Sequence, residues 1–239
     1  MGCRICGDAR TVRSHIIPKA FAHLVRNGEK SVITGSRYQI GIRHSQGGTF
    51  NNDLLCRVHE GMTAAPDKYA IEFVRRVQAA RSAPRNGVTL QIANPAPQML
   101  RSFALLTIWR EVHSCNRPSL TLGAHDASIR RHLFEGAPAP DWALIVQRTH
   151  FIVADDGGID FNTYPYRVRL LDRTAWLFAV AGVAFLTISD NRGLPPLFAD
   201  WRADSHDPCP VPAADPLPIT DVRSFRAVFT AMRARPTGL

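Results

Sequence analysis

The sequence predicts an α+β protein in two parts: a small metal-held unit over residues 1–83 and a larger domain of mixed helix and strand over 84–239. Three observations carry this. Cys3, Cys6, Cys56 and His59 crowd into the first sixty or so positions, and so short and polar a stretch has a thin core that needs a metal or disulfides. Further along, stretches with the spacing of buried helices occur beside runs that alternate with the period of a half-buried strand. Between the two parts, Pro84-Arg85-Asn86 breaks the pattern.

The elements follow in order. Residues 1–13 lack helical periodicity, and Gly7 directly after Cys6 suits a tight turn around a metal. Pro18 opens a short helix over Lys19 to Val25. Ser31 to Thr34 and Tyr38 to Ile42 are expected as strands, and Gly47 to Asp53 as a loop. After Pro66 the spacing of Tyr69, Phe73, Val74 and Val77 predicts a helix, with Arg75, Arg76 and Arg81 on a solvated basic face.

Val88 to Ile92 is a strand by composition. Gln98 to Ser114 is a helix that buries Leu100, Phe103, Ala104, Leu106, Thr107 and Ile108, and Asp126 to Glu135 is a second helix. Strands are expected over Trp142 to Gln147, Phe151 to Ala154 and Tyr166 to Asp172. Trp176 to Ile188 reads as central β structure that turns at Gly182. Leu194 to Pro218 has the composition of an extended arm, and Asp221 to Arg235 closes the chain as an amphipathic helix.

Composition narrows the function. Lysine and arginine total 29 against 20 acidic residues, a formal net charge of +9, which favours polyanionic partners. The longest apolar run, Ala175 to Ile188, falls short of the roughly 20 residues a membrane span needs, so no membrane partner is expected. The close cysteine pair stands at the very start with no signal peptide before it, which predicts a cytoplasmic chain whose thiols bind metal rather than form disulfides. Cys115 and Cys209 are isolated and read as ordinary thiols. Phosphate-binding glycine loops, the G-x-S-x-G elbow and dinucleotide fingerprints are absent from the sequence.

The residues that carry chemistry lie at the amino-terminal end. Zinc takes four thiolate or imidazole ligands in a tetrahedron, and two short-spaced pairs meet that need: Cys3 with Cys6, and Cys56 with His59. Between them stand Ser14-His15-Ile16-Ile17-Pro18 and Asn51, and Glu60 follows the second pair directly. Taken jointly, this spacing resembles the HNH endonucleases over about the first sixty residues.

The resemblance implies a zinc-bound treble-clef, or ββα-metal, fold and hydrolysis of phosphodiester bonds in nucleic acid, DNA more than RNA. It implies His15 as the general base, Asn51 as an orienting residue and Glu60 as a ligand to a catalytic Mg2+ or Mn2+. Zinc on Cys3, Cys6, Cys56 and His59 would be structural. Two positions depart from the pattern: Ser14 stands where the family usually has Asp or His, and Thr63 where a basic residue often follows. The alternative is a non-catalytic zinc module that binds nucleic acid or a protein partner.

Overall fold

The structure, a computed structural model, describes residues 2–25, 32–34, 43–45, 47–80, 89–114, 120–148, 151–152, 158–159, 162–213 and 217–218. It contains both helix and strand, consistent with the α+β class. The amino-terminal part comprises β1 (Thr11–His15), α1 (Lys19–Val25), β2 (Val32–Thr34), β3 (Arg43–Ser45), β4 (Phe50–Cys56), α2 (Arg57–Met62) and α3 (Ala64–Ala79). Then come β5 (Thr89–Ile92), α4 (Pro97–Ser114), α5 (Asp126–Glu135), β6 (Ala143–Arg148), β7 (Phe151–Ile152) and β8 (Gly158–Ile159). The chain continues with β9 (Thr163–Leu170), β10 (Arg173–Val180), β11 (Val183–Ile188), β12 (Cys209–Pro212) and β13 (Leu217–Pro218).

The helix α4 is the central pillar. Leu100 and every residue from Phe103 to Val112 are buried, so it is enclosed on all sides, as a helix without one solvated face must be. Phe103 shows why. Its ring lies 5.7 Å from Phe21 of α1, 5.9 Å from Phe178 of β10 and 5.3 Å from Phe185 of β11, while Phe178 and Phe185 stack at 5.1 Å. All four rings are fully buried, each contributing about 1.5–3 kcal/mol through apolar area removed from water.

The largest sheet is antiparallel in the order β6-β11-β10-β9. The expected turn at Gly182 is a tight hairpin between β10 and β11, with Ala181 at φ 46° and Gly182 at φ 76°. Two residues with positive φ give the twist that such hairpins need. Ala181 holds this unfavourable conformation between two side chains: its N–H donates to Asn162 Oδ1 at 2.8 Å, and its carbonyl accepts from Gln78 Nε2 at 3.1 Å.

Three expectations need correction. Gly47 to Asp53 is not all loop, because β4 begins at Phe50 and pairs antiparallel with β1, placing Ser14 opposite Asn51 and His15 opposite Phe50. Leu194 to Pro218 is not a free arm. The buried strand β12 pairs with β5, and Ala203 N–H donates to Leu144 O at 2.8 Å, so the proline-rich composition reflects edge pairing. Arg76 is not a free charge on a solvated face, since from its half-buried position it donates to Ala93 O at 2.9 Å and Tyr69 Oη at 3.1 Å.

The helix expected over 221–235, the strand over 38–42, Arg81 and Cys115 lie outside the described residues, as does the break expected at 84–86. One buried apolar cluster contains side chains from either side of that break: Ile17, Phe21, Leu55 and Phe73 together with Trp109, Phe178 and Phe185. A second link is polar, where Tyr164 of β9 donates to Thr49 Oγ1 at 2.7 Å and accepts from the Thr49 amide at 3.1 Å. No helix among the described residues is long and apolar enough to cross a membrane.

Candidate functional site

Local chain geometry assembles the Cys/His centre. Cys3 and Cys6 sit on a tight turn closed by Gly7 N–H to Cys3 O and Cys3 N–H to Asp8 O, both 2.8 Å, with Gly7 at φ 76°. Arg4 N–H to Leu54 O at 2.9 Å ties this turn to β4. Cys56 ends β4 and caps α2, so His59 in the first turn of that helix comes back beside it. The His59 ring is also braced edge-on by Phe134 of α5 at 5.8 Å, which in turn packs on Trp109 at 5.2 Å.

The ligand atoms of Cys3, Cys6, Cys56 and His59 all lie within 4.8 Å of one another, positioned to bind a metal ion. Zinc bond lengths on a tetrahedron place sulfurs about 3.8 Å apart and sulfur about 3.5 Å from nitrogen. Here Cys6 Sγ is 3.9 Å from Cys56 Sγ, and His59 Nδ1 is 3.6 Å from Cys3 Sγ and 3.2 Å from Cys56 Sγ. The residues present therefore fit the ion. The cysteines are free thiols, not disulfides.

Thiolate chemistry agrees. Burial raises the Cys3 thiol, but the backbone amides of Cys6, Cys56 and Ile5 outweigh it and bring it down to about 6. Cys6 moves the other way: the Asp8 amide favours its anion, yet desolvation and the neighbouring Cys3 and Cys56 raise it overall. Three thiols this close become thiolates together only with a cation between them.

The other candidates occupy the ribbon that leads into this centre. His15 and Asn51 sit on adjoining rungs of the β1–β4 pair, and Glu60 reaches back to β1 from α2. Adjacent strand positions face opposite ways, and the contacts divide accordingly. On one face, His15 and Arg13 both rest against Phe50, the His15 ring at 5.9 Å and the Arg13 guanidinium at 4.2 Å. His15 is held below its ordinary range, first by burial and then by the charges of Arg13, Arg110 and Lys19, and so is neutral at pH 7.

On the other face, the fully buried Ser14 donates to Glu60 Oε2 at 2.7 Å. Glu60 Oε1 lies 3.6 Å from Arg110 Nη2, which also donates to Thr63 Oγ1 at 2.6 Å, while Arg110 Nη1 donates to Asp67 at 2.9 and 3.1 Å. Asn51 accepts the Asp53 amide at 2.6 Å, and its Nδ2 donates to Ser114 O at 3.4 Å. Magnesium and manganese want several free oxygen donors in near-octahedral array. Ser14, Asn51 and Glu60 are engaged internally, with a guanidinium beside the only carboxylate, so this set does not fit such a cation.

Arg110 is the residue that sequence reasoning missed. It is 1% exposed and joins α4 to α2 and α3 through Glu60 and Asp67. The signal was an Arg-Glu pair inside an otherwise apolar helix, and a buried charge must find a partner. Burial raises its partner Asp67 to about 6 against the opposing pull of Arg110.

Comparison of the chain with protein-family models, curated proteins and solved structures returns no match.

Proposed function

We propose that the chain is an HNH-like endonuclease that hydrolyses phosphodiester bonds in DNA, its amino-terminal unit a treble clef built on a structural zinc held by Cys3, Cys6, Cys56 and His59. The observation that supports this best is the placement of a neutral, half-buried His15 on the two-stranded ribbon whose second strand runs straight into the metal-centre helix. Zinc, when bound, locks that ribbon to α2; it takes no part in the reaction. A neutral imidazole accepts a proton from water as the water oxygen attacks phosphorus, and the leaving oxygen departs as an alkoxide that takes up a proton from solvent.

A second reading, a non-catalytic zinc module that binds nucleic acid or a protein partner, is favoured by one observation. The Glu60 carboxylate is taken up by Ser14 and Arg110. Plasmid nicking separates the two. Wild-type protein is assayed without added divalent cation and with Mg2+ or Mn2+, beside His15→Ala. The nuclease reading expects nicking that falls on the order of a hundredfold or more in the variant. It also expects an acid limb in the rate profile below the ordinary histidine range of about 6.5, because His15 must be neutral to act. Nicking undiminished in the variant removes His15 from the role of base, and no nicking under any condition leaves the binding module.

A further inference from the structure

We propose that a phosphate group is seated beside His15 by Arg13 and Lys19 with no divalent cation, the carboxylate of Glu60 being already ion-paired with Arg110 and hydrogen-bonded by Ser14. This rests on the reading of His15 as a phosphodiester-facing group. The argument starts from charge. A divalent cation at a phosphoryl site does two things: it attracts the anionic substrate and stabilises charge on its oxygens. Side-chain cations can do both where no free carboxylate competes for them.

On the His15 face that condition holds. Arg13 stands two residues before His15 on β1 and is exposed, its guanidinium fixed over the ring of Phe50 at 4.2 Å. Lys19 opens α1 and is likewise exposed, its alkyl chain lying so close along Gly47 that a Cβ there would meet Lys19 Cγ at 3.1 Å. Among the described residues, neither Arg13 nor Lys19 has a carboxylate partner. Arg10, by contrast, is paired with Asp8. Arg13 shares the ring of Phe50 with His15, and Lys19 lies against Gly47, three residues before that Phe50, which is paired with His15 across the ribbon. Both charges lower the His15 imidazole, as Arg110 does from the other face.

The opposite face cannot supply the missing cation site. Both oxygens of Glu60 are engaged, and the guanidinium that faces it is buried and held by Thr63 and Asp67 as well. Phe50, 41% exposed, gives the same face an aromatic ring beside the Arg13 guanidinium, a combination suited to a nucleotide.

The test is binding of a fluorescein-labelled DNA duplex by zinc-loaded protein, followed by anisotropy over a salt series in buffer freed of Mg2+ and Mn2+. Wild type binds without divalent cation, and Mg2+ only weakens binding, as any competing cation does. Arg13→Ala and Lys19→Ala each lower the slope of log affinity against log salt by about 0.9, the loss of one phosphate contact. Arg10→Ala leaves the slope unchanged, and zinc content confirms that all three variants fold. Unaltered slopes in both variants overturn the proposal, as does wild-type protein that fails to bind or that needs Mg2+ to bind. The outcomes separate this inference from the nuclease reading. Nicking with unaltered slopes rejects the phosphate seat alone, whereas lowered slopes without nicking keep the seat and reject the hydrolase.

Discussion

The metal unit and the pillar around α4 solve the same problem with different physics. Around Cys3, Cys6, Cys56 and His59, four ligand atoms converge on one point from a turn, a strand end and a two-turn helix in which no residue is buried. Around Phe103, order comes from aromatic rings enclosed on every side by α1, β10 and β11. The first region offers four converging ligands to an ion, while the second removes apolar area from water. Arg110 and the contacts of Phe21 and Phe134 couple them, so each region leans on the other.

Metal loss is the most severe way to break this contrast. Structural zinc in small domains is worth about 10–16 kcal/mol of apparent binding free energy, which is folding free energy for the unit that holds it. Cys56→Ser should therefore release about one zinc per chain, read by a chromogenic chelator, and abolish amide-exchange protection at β1, β4 and α2 while α4 and the main sheet remain protected. Uniform loss of protection throughout would mean that the two regions unfold as one.

Truncating the pillar is the next largest change. Phe103→Ala empties a fully buried aromatic site and should cost about 3–5 kcal/mol in denaturant unfolding. Its zinc content should stay at the wild-type level, since no ligand is touched. Zinc lost from folded Phe103→Ala protein would show that the Phe21 contact, and not the ligands alone, holds the metal unit in shape.

The smallest effect concerns the coupling itself. Asp67 titrates at about 6 in the folded protein against an ordinary carboxylate value near 4, so between those limits the native state binds the extra proton. Stability from this group is fully present below about pH 4 and declines as pH rises through about 6, by an amount on the order of 1–2 kcal/mol once partial exposure is allowed for. Asp67→Asn should flatten that part of the stability curve. An unchanged slope in the variant would assign the titration to another group.

How much of this could be read from residue order follows from what each feature needs. The helices beginning near Gln98 and at Asp126 and the turn at Gly182 are local matters of spacing and backbone freedom, and the structure places them there. The four candidate ligands were legible too, because two close pairs bring their own geometry and only the distance between the pairs had to close. Gly47 to Asp53 misled because its glycines and asparagines describe a turn, while β1 supplies the partner that makes a strand from Phe50 onward. The full burial of α4 was equally hidden. Thr107 is buried as its spacing predicts, but Arg110 and Glu111 are not among the residues expected inside, and Arg110 is held there by carboxylates from two other helices.

By itself, then, the sequence determined the α+β class, the identity of the candidate metal ligands and the extent of helices such as Asp126–Glu135, since each rests on residues a few positions apart. Only the tertiary structure decided which way the neighbouring residues of β1 face and what each of them meets. Ser14 and His15 are neighbours in the chain, but the pleat sends one to Glu60 and the other to Phe50. Whether a carboxylate is free to hold a cation depends on what lies across from it in space, and for Glu60 that is a guanidinium fifty residues further along the chain.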